Sequence, residues 1–250
     1  MSKVFRPLTC YVKQVESTFF FLFGCASKFF PETLILYTSD EGGDQEIFVM
    51  NADGSNARQL TRNDLLDAEP AWSPDGSRIA FSGISKDSGA DQEIFVMDAD
   101  GSNIRQLTAN DDRDTDPAWS PDGDEIAYVS DRDGVSQIFL LDLSTGKSRP
   151  LLSQTGDLSS DEGREWSPDG KQIVFFSDRS TDLQLFVTNL VDEKVSQLTN
   201  RPGTNFYPAW SPSGQHIAFS SDSDGDFEVM VMKAVHGINS KFRFPATTYH

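Results

Sequence analysis

AWSPDGSRIAFSG, residues 71–83, decides how this chain folds, because the chain writes it four times. AWSPDGDEIAYVS follows at 118–130, EWSPDGKQIVFFS at 165–177 and AWSPSGQHIAFSS at 209–221. The four tryptophans, Trp72, Trp119, Trp166 and Trp210, are 47, 47 and 44 residues apart. Within each copy the Ser-Pro-Asp-Gly step is a turn. The Pro ring presets φ at the first corner, Asp bonds back to nearby amides, and Gly accepts the left-handed conformation that follows.

Outward from this stretch each unit adds the same pieces. The apolar run beginning IAFSG (79–83) is followed by EIFVMD (93–98), and its equivalents are QIFLLD (137–142), QLFVTN (184–189) and EVMVMK (228–233). Short closing pieces end three units: RQLT (105–108), RPLL (149–152) and SQLT (196–199). The runs are four to six residues long, rich in Ile, Val, Phe and Met, and bounded by Asp, Gly, Asn and Pro, so they read as strands. The second and third runs are apolar almost throughout, which predicts cover on both faces. SDRDG (130–134) reads as the turn between second and third strands, and DADGSN (98–103) as the turn between third and fourth. A fainter copy, ILYTSDEGGDQEIFVMNADGSNARQLT at 35–61, brings the count to five units, and GISKDSGAD in the second unit is the main inserted loop. A period of this length, with four strands per unit, predicts an all-β propeller of five four-stranded blades, six being the alternative count.

The chain has 250 residues, 37% of them hydrophobic, enough to build a packed core. Its 39 acidic and 21 basic residues give a formal charge of −18, which repels phosphate backbones and anionic membranes and argues against a nucleic-acid partner. Cys10 and Cys25 lie outside the repeats, so no disulfide framework organises them. Three regions are expected: an N-terminal segment at 1–33, the propeller at 34–244 and a tail at 245–250. The N-terminal segment reads in two ways. Lys3, Arg6 and Lys13 precede the uncharged stretch STFFFLFGCAS (17–27), and LFGC (22–25) is similar to a lipoprotein cleavage site, from which Phe23 and Glu16 depart. RPLT (6–9) is equally similar to a closing strand, which would join the chain ends. The uncharged stretch is 11 residues long, too short to span a bilayer.

Candidate chemistry is sparse. His216 occupies a position held by Arg78, Glu125 and Gln172 in the other units, an interchange that points to solvent, while His236 and His250 lie in the irregular tail. Asp222, Asp224, Asp226 and Glu228 place four carboxylates in seven residues, but Phe227 and Lys233 stand where a calcium-binding EF-hand loop needs Gly and Glu. Asp131 with Asp133, and Asp40 with Asp44, are thinner versions; solvated hairpin loops account for all three. The regular Trp residues are expected to fill gaps between blades. Asp67, Asp114 and Asp116 are expected at a channel or loop rim. No catalytic, cofactor-binding or metal-binding residue is assigned, and no cofactor is expected.

The repeated pattern PxWSPDGxxIaFxS…eIfvmdxDGsxxrqLT resembles the TolB-type, WD40-like β-propeller repeat over about residues 34–234. The resemblance implies a non-catalytic module that binds a partner protein in the periplasm or elsewhere outside the cytoplasm. Similar repeats precede the hydrolase domain of prolyl oligopeptidase-type peptidases, so the alternative is the propeller portion of such a peptidase, or of another propeller enzyme, without its catalytic domain. The sequence contains no Gly-x-Ser-x-Gly elbow.

Overall fold

The computed structural model describes residues 34–40, 43–84, 91–152, 159–200, 202–223, 225–234 and 242–243. Those residues form strands and turns, with no helix among them. The first sheet contains β1 (Leu34–Ser39), β2 (Glu46–Asn51) and β3 (Arg58–Gln59). The second contains β4 (Asp67–Trp72), β5 (Arg78–Ile84), β6 (Gln92–Asp98) and β7 (Arg105–Gln106). The third contains β8 (Asp114–Trp119), β9 (Glu125–Ser130), β10 (Gln137–Asp142) and β11 (Lys147–Pro150). The fourth contains β12 (Asp161–Trp166), β13 (Gln172–Ser177), β14 (Gln184–Asn189) and β15 (Val195–Gln197). The fifth contains β16 (Asn205–Trp210), β17 (His216–Ser221), β18 (Glu228–Lys233) and β19 (Phe242–Arg243). Strands follow chain order in every sheet, and the fold is a five-bladed, TolB-like β-propeller. The described residues fall into two compact units, one within Met1–Arg132 and Leu140–Ser148, the other within Asp133–Phe139 and Arg149–His250.

The expected strand order holds in detail. Second strands are buried almost end to end, as in β9 and β13, so their near-continuous apolar character reflects cover on both faces. In the first unit, Leu36, Ile47, Val49 and Leu60 of the first sheet pack with Trp72, Ile79, Phe81 and Met97 of the second. In the other, Phe176, Leu185, Phe219 and Met230 make the corresponding cluster. Cross-strand pairs add stacked rings: Phe81 with Phe95 at 5.4 Å and Phe175 with Phe186 at 6.0 Å, each directly opposite in register.

The Ser-Pro-Asp-Gly turn closes each first hairpin through a repeated set of bonds. Gly76 N donates to Ser73 O at 2.9 Å with Gly76 at φ 70°, and Arg78 N donates to Ser73 Oγ at 2.9 Å. Ser73 Oγ in turn donates to Asp75 Oδ1 at 2.7 Å. That bond, with those from Ser77, holds the Asp75 carboxyl down at about 2. Ser120–Asp122 and Ser167–Asp169 repeat the arrangement, and Ser213 replaces the Asp in the last turn. Because Ser73 is buried and serves two partners, Ser73→Ala is expected to cost about 1–2 kcal/mol. Urea unfolding would show it; no change would mean that the turn holds without its side chain.

Each of β4, β8, β12 and β16 carries a one-residue bulge opposite the second strand, between Ala68 and Ala71, Thr115 and Ala118, Glu162 and Glu165, and Phe206 and Ala209. In three of them a Pro, which has no N–H for the ladder, follows the bulged residue: Pro70, Pro117 and Pro208. The bulged residues themselves, Glu69, Asp116, Gly163 and Tyr207, have φ of 56°, 55°, 61° and 51°. Three of these four are not glycine, so the backbone holds a left-handed conformation that costs about 1–2 kcal/mol per residue.

Candidate functional site

Buried carboxylates tie consecutive sheets together, and they recur by position. At the first junction, Glu46 accepts from Thr61 Oγ1 and from Asn63 N, and Asn63 Nδ2 donates to Asp67 Oδ2 at 2.7 Å. At the second, Glu93 accepts from Thr108 Oγ1 at 2.7 Å and Asn110 N at 2.8 Å, and Asn110 Nδ2 donates to Asp114 Oδ2 at 2.8 Å. Arg132 then reaches Asp114 at 3.2 Å, stacks on Tyr128 and donates to its hydroxyl at 2.8 Å. Burial raises the Glu93 carboxyl and the Tyr128 phenol above their usual ranges. In the second unit Arg179 pairs with Asp161 at 2.7 Å, and Asn205 donates to Gln184 Oε1 at 3.2 Å.

These networks correct one expectation. Asp67 and Asp114 are not rim groups: both are buried, because each closes a hydrogen-bonded junction. Asp116 is half-buried at its bulge. There the Glu69 carboxylate accepts from Ser82 Oγ at 3.0 Å and from Asp116 N at 2.7 Å, so one bulge's side chain binds the next bulge's backbone.

In the second unit the bulge of the fifth sheet belongs to an aromatic surface. Tyr207 and Phe227 are 39% and 56% exposed, and both meet Phe206 edge-on, at 4.7 and 5.2 Å between ring centroids. Phe176 closes the cluster from below at 5.9 Å from Tyr207. Asp226 and Glu228 flank Phe227 in the chain. An aromatic group set among carboxylates suits a partner that brings both apolar and cationic side chains. Sequence reasoning missed this cluster, although a signal existed. Phe206 stands where the other units have Ala68, Thr115 and Glu162, and Phe227 where they have Gln45, Gln92, Ser136 and Leu183.

The remaining sequence candidates have structural surroundings. Trp72, Trp119 and Trp166 are buried, and Trp119 Nε1 donates to Ala71 O at 3.2 Å beneath the Arg78 guanidinium, 4.7 Å from the ring. His216 is the first residue of β17 and half-buried, not a solvated turn residue, since its N donates to Ser211 Oγ at 3.0 Å to close the hairpin. In the acidic loops Asp131 Oδ1 and Asp178 Oδ1 accept Arg113 N and Ser160 N, each at 2.8 Å, and Asp222 does the same for Thr204 N. Asp224 lies outside the described residues, as do His236, His250, Cys10, Cys25 and the N-terminal segment at 1–33. Among the described residues no three of His, Cys, Asp and Glu group as metal ligands, and no helix is long and apolar enough to cross a membrane.

Two stretches, residues 70–162 and 159–249, match the family described as TolB beta propeller domain. A curated relative, the Tol-Pal system protein TolB of Desulfosudis oleivorans, is 36% identical over 55 residues, 22% of this chain and 13% of that protein. Among solved structures, TolB from Acinetobacter baumannii superposes with a TM-score of 0.68 at 23% identity, covering 80% of this chain and 49% of that one. A puromycin-hydrolyzing peptidase from Mycobacterium tuberculosis gives 0.63 at 17% identity, covering 80% of this chain and 33% of that one. At these identities the two structural likenesses are likenesses of fold. The chain spans about half or less of the length of each relative.

Proposed function

Because this chain belongs to the TolB beta propeller domain family, we propose that it is a non-catalytic β-propeller module that binds another protein outside the cytoplasm. The observation that carries this reading is the exposed cluster of Tyr207 and Phe227 on Phe206. Large aromatic side chains, offered here from a bulge and a hairpin loop and held by ring contacts, are the anchors that dominate protein interfaces. The charge of −18 selects a partner whose docking segment is basic as well as apolar and speeds its approach. The naming of the Desulfosudis relative for a Tol-Pal system supports a role in an assembly, and the family resemblance supports a periplasmic setting.

The test places a photo-crosslinking phenylalanine analogue at position 227 in cells and identifies what it captures. A protein with a basic, apolar segment is expected, and the purified pair should bind at least tenfold more weakly when Tyr207 and Phe227 are both Ala, with the melting temperature of the module little changed. Equal binding by the double variant would discard this surface. Hydrolysis of peptide substrates by the purified chain would discard the non-catalytic reading.

A further inference from the structure

One sheet junction breaks the charge pattern of the others. At equivalent positions, the residue at the start of a third strand and the first residue of the next sheet are Glu46 and Asp67, Glu93 and Asp114, Gln137 and Asp161, and Gln184 and Asn205. Where the second member is a paired carboxylate, a guanidinium answers it. Arg132 bonds Asp114 and is braced by Nε donation to Ser130 Oγ at 2.9 Å, and Arg179 bonds Asp161 and is braced by Ser177 at 3.0 Å. Where the guanidinium is missing, with Ser223 in its place, the pair is two neutral amides, Gln184 and Asn205.

The Glu46–Asp67 junction has two buried carboxyl groups and neither part of the clamp. Gly83 lies opposite Asp67 where Ser130 and Ser177 lie opposite Asp114 and Asp161. A Cβ at Gly83 would come within 2.6 Å of Asp67 Oδ1, so the carboxyl occupies the space of the bracing serine. The residue equivalent to Arg132 is Ser85, outside the described residues. The group facing Asp67 from β2 is Glu46, a second carboxyl. From the segment after β3 come the neutral Thr61 and Asn63, and from β5 the Gly83 backbone, whose open side is bordered by the rings of Phe81 and Phe95. Asp44, two residues before Glu46, has a buried Oδ2 with no hydrogen-bond partner among the described residues.

We propose that this junction is a proton-dependent joint between the first and second sheets, in which Asp67 keeps its proton up to near-neutral pH and its ionisation loosens the contact. Two carboxylates cannot both be charged in a buried site without a cation. A protonated Asp67 beside Glu46 carries the same net charge as the Glu93–Asp114–Arg132 set, and it is the acid counterpart of Asn205 beside Gln184. Desolvation, opposed by the Asn63 and Thr61 bonds and helped by the Glu46 charge, raises the Asp67 carboxyl from 3.8 to about 7. The sign follows from linkage. A proton held more tightly in the folded state stabilises fully below the unfolded value near 3.8, and that stabilisation is lost as pH rises through about 7.

The test is urea unfolding of the 250-residue chain and of Asp67→Asn between pH 5 and pH 8. Relative to Asp67→Asn, the unfolding constant of the parent is expected to rise up to about tenfold per pH unit between pH 5 and 7 and then flatten. Parallel curves for the two proteins would overturn the proposal. So would a steep pH slope created by Lys86→Ala, which would show that this lysine of the inserted loop balances Asp67. If Asp67→Asn does not fold, carbon-detected NMR titration of the parent's aspartate carboxyls decides. A midpoint for Asp67 near neutrality supports the joint, and one below pH 5 excludes it.

Discussion

Replacing Arg132 with Met is expected to cost about 3–5 kcal/mol, the loss that follows when one partner of a buried ion pair is removed. Asp114 has no solvent exposure, and Arg132 is its cation, so the truncated site would leave a buried carboxylate without its counter-ion. The Tyr128 hydroxyl and Glu93 would feel the same loss, because Arg132 donates to Tyr128 and Glu93 reaches Asp114 through Asn110. Urea unfolding followed by tryptophan fluorescence would measure it. Adding Asp114→Asn to Arg132→Met should recover much of the loss, since the pairing of Asn205 with Gln184 shows that the fold accepts a neutral junction. By contrast, breaking the exposed Lys171–Asp169 pair, 4.0 Å apart, should change stability by less than about 0.5 kcal/mol. Equal costs at both places would mean that water reaches Asp114.

Gly163→Ala is expected to cost about 2–4 kcal/mol, as left-handed strain and overpacking act together. Gly163 has φ 61°, and a Cβ there would overlap the Phe176 ring. The other bulges carry Glu69, Asp116 and Tyr207 at similar φ, so the backbone alone does not demand glycine. The difference lies across the strand: the places of Phe176 are taken by Ser82, Val129 and Ser220 in the other sheets. Among the four bulged sheets, only the fourth has an aromatic residue at this position. A double-mutant cycle with Phe176→Ala should therefore show coupling above about 1 kcal/mol, and additive costs would assign the whole effect to the backbone.

The fold was legible because its signals are local and repeated. Ser73-Pro74-Asp75-Gly76 fixes a hairpin within its own residues, and unbroken apolar runs such as residues 126–129 announce strands covered on both faces. The site was less legible because it depends on partners far along the chain. Asp114 next to a loop reads as a solvent group until Arg132, 18 residues on, is placed against it. The aromatic cluster joins Phe206 to Phe227 across strands, so their two departures from the repeat take on meaning only once the strands are paired. His216 looked like a surface position because its equivalents vary, yet variation at the first residue of a second strand reflects only a shared backbone role.

The fourth strands are two to four residues long, and four of them carry cations: Arg243 in β19, Arg58 in β3, Arg105 in β7, and Lys147 and Arg149 in β11, a strand exposed throughout. Each lies beside a third strand that is rich in Ile, Val, Phe, Leu or Met, the composition from which cross-β stacks grow. A brief, positively charged border leaves an approaching chain few open backbone groups to pair with, and stacking would bring like charges together. The chain thus concentrates apolar strands without offering them as templates for fibrils, and lengthening a border strand with uncharged β-branched residues would remove that protection.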